Sequence, residues 1–207
     1  MLILSGVIIC QNKSSNIINV INNIYTVVDE LIILDGGSVD NTLAKIKEYS
    51  SVYDTANKIK VFKFKFNHNF GDQKNLAISC ARGIWVLNID TDEFLNDKLL
   101  RDIPKLIRQN ETHVYAVPRK NYINNIQTEV YPDYQLRLFR SYCRFVYPVH
   151  EELVGFQIEK LKYLDDSYYI IHKKLLDEQI KQNDLYSKIK ATSNFMCTDI
   201  EGLNING

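Results

Sequence analysis

The residues best suited to chemistry in this chain are the acids of segment 90–93, which reads Asp-Thr-Asp-Glu. They follow an apolar run, 84–89, that is typical of a buried strand, so we expect their carboxylates at the carboxyl edge of a sheet. Asp90 and Asp92 share one strand parity and can point to one side, where they repel each other unless a cation lies between them. Such oxygen ligands suit Mg²⁺ or Mn²⁺ shared with substrate phosphates. The alternative interpretation is the acidic N-terminus of a helix.

Two further segments place polar residues next to predicted loops. Asp35 ends the predicted strand 30–34 and is followed by two glycines, which allow close approach of the backbone to a ligand. A carboxylate there can accept hydrogen bonds from a uracil ring or from ribose hydroxyls. Segment 71–75, Gly-Asp-Gln-Lys-Asn, opens a predicted helix. Either Asp72 is simply its N-cap, or Lys74 is directed toward a nucleotide.

The composition is that of a globular protein of one domain, with 207 residues, 45% of them hydrophobic and 24% charged. Lysine plus arginine and aspartate plus glutamate both number 25, so no basic excess suggests nucleic-acid binding. The four cysteines form no Cys-x-x-Cys pair, which predicts free and mostly buried thiols in a reducing compartment. The apolar first ten residues lack a basic leader and are too short to span a bilayer. We therefore expect a cytoplasmic protein, with contact at the inner face of the membrane left open.

The order of predicted elements indicates an α/β fold with two unlike halves. The first half alternates strands at 2–9, 30–34, 60–66 and 84–89 with helices starting at Ser14 or Ser15, at 41 and at 72. This alternation predicts a Rossmann-like, mainly parallel central sheet flanked by helices. After a helix at 97–109, strands at 113–118, 120–123, 127–131, 134–140 and 144–149 predict an antiparallel second half, with a hairpin turn at Asn124-Asn125. We divide the chain into a nucleotide-binding half (1–95), an acceptor-side half (96–174) and a C-terminal helix and tail (175–207).

Four segments follow one another in the order seen in family-2 glycosyltransferases, and the chain resembles that family over roughly residues 4–172. They are Asp-Gly-Gly-Ser-Val-Asp-Asn-Thr at 35–42, Gly-Asp-Gln-Lys-Asn at 71–75, Asp-Thr-Asp-Glu at 90–93 and Tyr-Pro-Asp-Tyr-Gln-Leu-Arg-Leu-Phe-Arg at 131–140. The resemblance is greatest to the subgroup of lipopolysaccharide-core β-glucosyltransferases and bacteriocin S-glycosyltransferases. It implies a GT-A fold, a nucleotide-sugar donor and a divalent metal, Mn²⁺ or Mg²⁺.

The resemblance also implies roles for single residues on the donor side. Asn12 matches the family's first loop, although Lys13 stands where the family usually has an acid. By the resemblance, Asp35 contacts the base and Lys74 lies near the nucleotide. Asp90 lies by the ribose or the metal, and Asp92 coordinates the metal that bridges the donor's diphosphate.

A second group of predicted site residues lies beyond the acidic segment. The family places its general base near residues 150–152, and we favour Glu151, with Asp133 as a second base candidate. His150 is a predicted metal or phosphate contact, but adjacent strand residues face opposite ways, so it is not expected to share the site with Glu151. His172 is a predicted late metal or diphosphate ligand. Arg137 is predicted to hold phosphate through two hydrogen bonds.

These residues predict a metal-dependent, inverting transfer of a sugar from a UDP-sugar. An acceptor hydroxyl or thiol attacks the anomeric carbon, Glu151 takes its proton, and the metal stabilises the departing diphosphate. One alternative is a nucleotidyltransferase that makes an activated sugar, but residues 11–14 lack the glycine-rich basic loop it would need. Another alternative is a non-catalytic nucleotide-sugar-binding module. Glycan, lipid-linked and peptide acceptors all stay open, as does the oligomeric state.

Overall fold

The computed structural model describes residues 3–192, in which ten strands form one mixed sheet and two more form a separate ribbon. In chain order these strands are β1 Leu4–Cys10, β2 Glu30–Asp35, β3 Ile59–Lys63, β4 Trp85–Asn88, β5 Glu93–Leu95, β6 Val114–Ile123, β7 Ile126–Gln127, β8 Asp133–Arg140, β9 Arg144–Val146, β10 Glu152–Val154, β11 Leu161–Tyr163 and β12 Ile170–Lys174. The order in the sheet is β3-β2-β1-β4-β8-β6-β12-β5, with β7 and β11 also pairing to β6. The ribbon is β9 with β10.

Helices cover both faces of the sheet. They are α1 Ile17–Ile24, α2 Thr42–Tyr53, α3 Phe70–Ser79, α4 Asp97–Leu106 and α5 Leu176–Thr192, with a short 3-10 helix at Ile158–Lys160. The buried residues of α1, α2 and α4 form one apolar cluster with the sheet. Those of α3 form a second cluster, on which the β9–β10 ribbon also packs. Strands β1, β2 and β4 are therefore buried on both faces, as near-continuous apolar strands of a parallel sheet should be.

Strands β1 to β4 are parallel and end at one edge of the sheet. The register pairs Cys10 of β1 with Asp35 of β2, and Asp35 in turn with Lys63 of β3. β4 runs parallel to β1 on the other side. The chain therefore brings Asp35 and the residues after Asn88 to the same edge, as the order of strands and helices predicts.

The second half adds strands of both directions to the same sheet. β8 is antiparallel to β4 and to β6, whereas β12 is parallel to β6 and antiparallel to β5. Strand β5 lies at the far end of the sheet beside β12, where Glu93 is in register with His172. The acidic segment 90–93 thus crosses the carboxyl edge from β4 to β12. One sheet extends through residues 1–95 and 96–174, and the division between them stays a prediction.

Several element boundaries differ from the sequence prediction. Neither Ser14 nor Ser15 caps α1, which begins at Ile17 with Asn16 before it and no side-chain cap. Helix α3 begins two residues earlier than predicted. Its cap is Asn69, whose side chain accepts a hydrogen bond from the Asp72 N–H at 3.0 Å, so the prediction of Asp72 as N-cap is wrong.

Other local predictions are confirmed. Asn124 and Asn125 both have positive φ, 50° and 64°, in the turn between β6 and β7, as a two-residue hairpin loop requires. Cys10, Cys80 and Cys143 are free thiols, and Cys197 lies outside the described residues. Among the helices within residues 3–192, none has the length and apolar character needed to cross a membrane.

Candidate active site

A cavity of about 950 Å³ opens at the carboxyl edge of the parallel strands. Its floor includes residues that follow β1, β2 and β4, and one wall is formed by α5. The predicted site residues that line it are Lys74, Asp90, Asp92, Arg137, His150, Glu151 and His172. Asn12, Asp35 and Asp133 are the predicted site residues that are not part of this lining. The fold therefore gathers most of the predicted residues from five separate segments of the chain.

Glu93 is the buried anchor of a charge network at the centre of the cavity floor. Its side chain is fully buried and accepts hydrogen bonds from Arg137 Nε at 2.9 Å and Nη2 at 2.7 Å, and from Arg119 Nη1 at 2.8 Å. Arg137 Nη2 also lies 2.6 Å from Asp90 Oδ2. Arg137 Nε and Nη2 bind these two carboxylates and thereby orient Asp90. The predicted phosphate contact of Arg137 stays a prediction.

The charges of this network set the protonation states of its members. Burial acts to raise the pKa of Asp90, but the positive charges of Arg137 and Lys74 outweigh it and lower the pKa well below its usual range. Burial acts to lower the pKa of Arg137, and the carboxylates of Asp90 and Glu93 raise it above its ordinary value. Asp90 is therefore a permanent carboxylate, with Arg137 as its permanent counter-ion.

A hydrogen-bonded series of side chains fixes the imidazole of His172. Asn121 donates its Nδ2 to Asp133 Oδ2 at 2.8 Å, so its Oδ1 faces His172 Nδ1 at 2.7 Å. Because Oδ1 can only accept, Nδ1 carries the proton and Nε2 is left to face Asp92 Oδ2, 3.4 Å away. This is the arrangement by which proteins present Nε2 of a histidine to a metal ion.

Asp92 and His172 form a donor pair that fits a divalent metal shared with substrate phosphates. Two ligands on adjacent octahedral positions at about 2.1 Å from Mg²⁺ are about 3 Å apart, close to the separation of these two atoms. Burial acts to raise the pKa of Asp92, whereas a hydrogen bond from His172 Nε2 in the metal-free site, where that nitrogen also carries a proton, and the charges of His172 and Lys174 lower it. A metal on Nε2 would take the place of that proton. Within residues 3–192, no three His, Cys, Asp or Glu side chains are grouped to hold a metal ion by themselves. The remaining ligands would have to come from the substrate and from water.

Asp133 has little capacity to act as a base. Its Oδ2 accepts hydrogen bonds from Arg119 Nε and Nη2 at 2.9 and 2.7 Å and from Asn121, and its Oδ1 accepts one from Gln135 at 2.7 Å. Burial acts to raise its pKa, but the hydrogen bond from Asn121 and the charge of Arg119 lower it. These contacts make Asp133 a supporting residue for Asn121 and leave Glu151 as the better base candidate.

Glu151 lies in the cavity beside Lys74. The Lys74 ammonium is 3.4 Å from Glu151 Oε1, and both side chains are nearly buried. Glu151 lies in a loop between β9, which ends at Val146 rather than at the predicted residue 149, and β10, and His150 in this loop has a φ of 54°. His150, Glu151 and Glu152 therefore all line the cavity, and the expectation from strand alternation that His150 and Glu151 would not share it is wrong.

Helix α3 holds this loop in place. Asn75 makes two hydrogen bonds of 2.8 Å with the backbone of Phe145, one through each side-chain polar atom. A Cβ at Gly71 would lie 2.6 Å from the carbonyl oxygen of Tyr147, so only glycine allows the helix to approach so closely. Of the segment 71–75, Lys74 thus reaches the cavity while Gly71 and Asn75 position the loop that carries Glu151.

His150 and Tyr186 form the side of the cavity near α5. The ring of Tyr186 lies edge-on to His150 and to Phe70, with centroids 5.4 and 5.5 Å apart. Burial and the charge of Glu151 raise the pKa of Tyr186 above its ordinary value. His150 thus has an aromatic partner, and its predicted contact with metal or phosphate stays a prediction.

Asn12 and Asp35 build the loops at the nucleotide side of the edge. Asn12 Oδ1 accepts a hydrogen bond from Val39 N–H at 2.8 Å, which ties the loop after β1 to the loop after β2. Asp35 Oδ2 accepts from the N–H groups of Gly37 and Ser38 at 3.1 and 3.0 Å, so its carboxylate stabilises its own turn. Its Oδ1 has only a weak contact with a cysteine thiol, 3.9 Å away. Base contact by Asp35 and nucleotide contact by Asn12 stay predictions.

Sequence reasoning did not assign a role to several side chains that shape the site. They are Glu93, Arg119, Asn121, Lys174, Gln182 and Tyr186. Glu93 belongs to the acidic segment. Its position close to an apolar strand is a signal in the sequence that its side chain could be buried. The others come from β6, β12 and α5, whose contact with the acidic segment depends on the order of strands in the sheet. No local sequence pattern predicts the order of strands in the sheet.

The fold and the site together define an α/β protein with a charged cavity at the carboxyl edge of its sheet, and comparison with known proteins identifies its family. The profile of the family described as "Glycosyl transferase family 2" matches residues 5–172. The chain belongs to this family, as the resemblance of its four segments predicted.

Sequence relatives agree with this assignment. The chain is 30% identical over 112 residues to an uncharacterized glycosyltransferase of Rickettsia felis, covering 54% of this chain and 36% of that protein. It is 29% identical over 196 residues to the lipopolysaccharide core biosynthesis glycosyltransferase LpsC of Rhizobium meliloti, covering 91% of this chain and 70% of LpsC. The chain thus spans about a third of the length of the first relative and more than two thirds of the second.

Solved structures share the fold at low sequence identity. The structure of Staphylococcus aureus TarS residues 1–349 in complex with UDP-GlcNAc has a TM-score of 0.64 and 18% identity, covering 84% of this chain and 59% of that one. The mannosyltransferase PcManGT of Pyrobaculum calidifontis, in complex with GDP-Man and Mn²⁺, has a TM-score of 0.50 and 17% identity, covering 56% and 35%. These matches confirm the predicted GT-A type of α/β fold.

Proposed function

We propose that this chain carries the donor-binding and catalytic part of a glycosyltransferase that moves a sugar from a nucleotide-sugar to an acceptor with inversion at the anomeric carbon. The observation that carries the proposal is that three groups of side chains lie in the same cavity. These are the permanent carboxylate Asp90, the pair of Asp92 and His172, and the pair of Lys74 and Glu151. Each supplies a different need of such a transfer.

The donor is proposed to be a UDP-sugar bound along the carboxyl edge of β1, β2 and β4. The cavity extends from Cys10 and Gly36 at one end to Asp92 at the other, which provides a path for a nucleoside diphosphate. The complex of TarS with UDP-GlcNAc supports uridine, and that of PcManGT with GDP-Man supports guanosine as the rival base. The acceptor is proposed to be a glycan, free or lipid-linked, which the likeness to LpsC supports over a peptide acceptor.

Glu151 is proposed as the general base. A base of this kind accepts the acceptor's proton as the new glycosidic bond forms and the bond to the diphosphate breaks. Lys74, 3.4 Å away, orients the carboxylate before the acceptor arrives. The buried network of Glu93 and Arg137 holds Asp90 still, so the charge facing the donor is fixed in advance.

Asp92 and His172 are proposed to hold Mn²⁺ or Mg²⁺, which supplies charge neutralisation for the departing diphosphate. Asn121 fixes the tautomer of His172 that this requires. The complex of PcManGT with Mn²⁺ supports a divalent ion in this fold.

The two alternatives differ from this proposal in product. A nucleotidyltransferase would release pyrophosphate, whereas a glycosyltransferase releases a nucleoside diphosphate and a binding module releases neither. The loop after β1 contains one lysine, Lys13, and no glycine, which favours the glycosyltransferase.

Thermal unfolding with UDP or GDP, each with and without Mn²⁺, tests the donor site. A ligand at 100 times its dissociation constant stabilises the folded state by about 2.7 kcal/mol. For a domain of this size that corresponds to a rise of about 5–10 °C in Tm. We expect the rise with UDP and Mn²⁺ in the wild type and its loss in Asp92→Ala.

Asp184→Ala is the matched control, because Asp184 is an exposed carboxylate on α5 that pairs with Lys188. It should retain the full response. Absence of a response to either nucleotide in the folded wild type would refute the donor proposal. A response to GDP alone would replace uridine by guanosine. Release of UDP from a UDP-sugar, rather than of pyrophosphate, then tests the type of reaction.

A further inference from the structure

We propose that Lys174 is a donor-binding residue that exchanges partners during binding. Its ammonium neutralises Asp92 in the free protein and moves to the donor's diphosphate when a divalent metal occupies Asp92. The proposal rests on the proposed function, since it concerns the same donor site. It concerns a side chain of the last residue of β12, directly before α5.

The position of Lys174 is built into the fold. Its side chain is 11% exposed, and its Nζ lies 3.5 Å from Asp92 Oδ2. The backbone supports this pairing, because the N–H of Lys173 donates to the carbonyl oxygen of Asp92 at 3.0 Å. The ammonium also donates a hydrogen bond to Gln182 Oε1 of α5. The backbone pairing at Lys173 and the hydrogen bond to Gln182 of α5 therefore both hold the Lys174 ammonium near Asp92.

The same carboxylate oxygen serves Lys174 and the proposed metal pair. Asp92 Oδ2 is 3.4 Å from His172 Nε2 and 3.5 Å from Lys174 Nζ. A divalent ion bound to this oxygen would lie within a few ångströms of the ammonium and repel it. The two cations thus compete for Asp92, and a bound metal must displace Lys174 from it.

The other cationic side chains of the cavity that form ion pairs keep their carboxylate partners when a metal binds Asp92. Arg137 is held by Asp90 and Glu93, Arg119 by Glu93 and Asp133, and Lys74 by Glu151. Within residues 3–192, Asp92 is the carboxylate that pairs with Lys174. Lys174 is therefore the cation whose partner is taken by the metal.

The donor's diphosphate would bind close to the Lys174 ammonium once that ammonium has left Asp92. A metal on Asp92 that bridges two phosphates places their oxygens next to Asp92, within the range of a side chain with four methylene groups. Lysine suits this task because its ammonium is a compact charge on a flexible stem, whereas an arginine would be held by its planar fork. The Lys174 ammonium thus exchanges the Asp92 carboxylate for the diphosphate. It has an anionic partner both before and after the donor binds.

The test is to measure UDP and Mn²⁺ binding separately in the whole chain. Titration calorimetry with UDP is done in EDTA and in Mn²⁺, and the electron paramagnetic resonance signal of free Mn²⁺ measures metal binding without nucleotide. We expect Lys174→Met to weaken UDP binding by about tenfold or more in Mn²⁺, as for loss of a charge-assisted hydrogen bond, and to change it much less in EDTA, where the ammonium stays paired with Asp92. The same variant should bind Mn²⁺ alone several times more tightly, because the competing ammonium is gone.

Lys173→Met is the matched control, since it removes an equal charge from the neighbouring exposed position. It should leave both affinities unchanged, and Lys174→Arg, which keeps the charge but is held by its planar fork, should restore only part of the UDP affinity. If the methionine variant unfolds, Lys174→Gln is measured in its place. Unchanged UDP binding by the Lys174 variant in Mn²⁺, an equal loss in EDTA and in Mn²⁺, or weaker Mn²⁺ binding in the variant would overturn the inference. Failure of the wild type to bind UDP under any condition would instead overturn the proposed donor.

Discussion

Replacing Glu93 by glutamine should destabilise the protein more than any change of similar size at its surface. The side chain is fully buried, and its two oxygens accept hydrogen bonds from Arg137, from Arg119 and from the Asp90 N–H. Glutamine has the same shape but offers one acceptor and one donor. Whichever way the amide is turned, its NH₂ group meets at least two donors of the network.

The cost follows from leaving guanidinium groups buried without a full counter-charge. Removing one partner of a buried ion pair costs about 3–5 kcal/mol. The lower end of that range applies to Glu93→Gln, because Asp90 and Asp133 remain as partners of the two arginines. A loss of about 3 kcal/mol in a domain of this size lowers Tm by about 6–12 °C.

Urea unfolding followed by circular dichroism measures this loss. Glu111→Gln is the control, because Glu111 also forms an ion pair, with Lys160 at 2.6 Å, but its side chain is 89% exposed. Its unfolding midpoint should stay at the wild-type value. A loss below about 1 kcal/mol in Glu93→Gln, with native spectra, would refute the assignment of Glu93 as the buried anchor. In the Glu93→Gln background, Arg119→Met should lower the free energy of unfolding by less than it does in the wild type. The reason is that it then removes a guanidinium that has already lost its charged partner at position 93.

Two further substitutions test the base and the loop that carries it. Glu151→Gln should lower the transfer rate by about 10²–10⁴-fold while UDP affinity changes little, as steady-state kinetics and calorimetry would measure; a larger loss of rate in Asp133→Asn would reverse the assignment of the base. Gly71→Ala should lower the free energy of unfolding by about 1–3 kcal/mol, since its Cβ would lie 2.6 Å from a backbone oxygen of the facing loop. An increase in stability, as helix propensity alone predicts, would show that this loop moves aside freely.

The sequence was sufficient to predict the features that depend on local order along the chain. The acids after β4, the glycines after Asp35 and the alternation of strands and helices each predict that a residue lies at the carboxyl edge. The structure likewise places Arg137 at the cavity and Arg140 over the Trp85 ring at 4.3 Å, as residues three apart in one strand must face opposite sides. These predictions hold because a strand of known direction fixes where its last residues lie.

The features that could not be predicted depend on which strands become neighbours. Asn121 and His172 meet because β12 pairs in parallel with β6, and Lys174 reaches Asp92 because β5 lies beside β12. The predicted strand 144–149 ends instead at Val146, and positive φ at Tyr147 and His150 makes residues 147–151 a loop before β10. Pairing at long sequence separation and left-handed backbone at non-glycine residues leave little local trace in sequence.

The two aspartates of the acidic segment therefore have different tasks, although their types and spacing suggest a symmetric pair. Asp90 is bound at 2.6 Å by a guanidinium that Glu93 also holds, so a cation that displaced Arg137 would have to break a buried network. Asp92 faces an imidazole and an ammonium at 3.4 and 3.5 Å, neither at normal hydrogen-bond length. Exchange of cations is far less costly at Asp92 than at Asp90. The site thus keeps one charge fixed to define its geometry and leaves the other free to change partner as substrate binds.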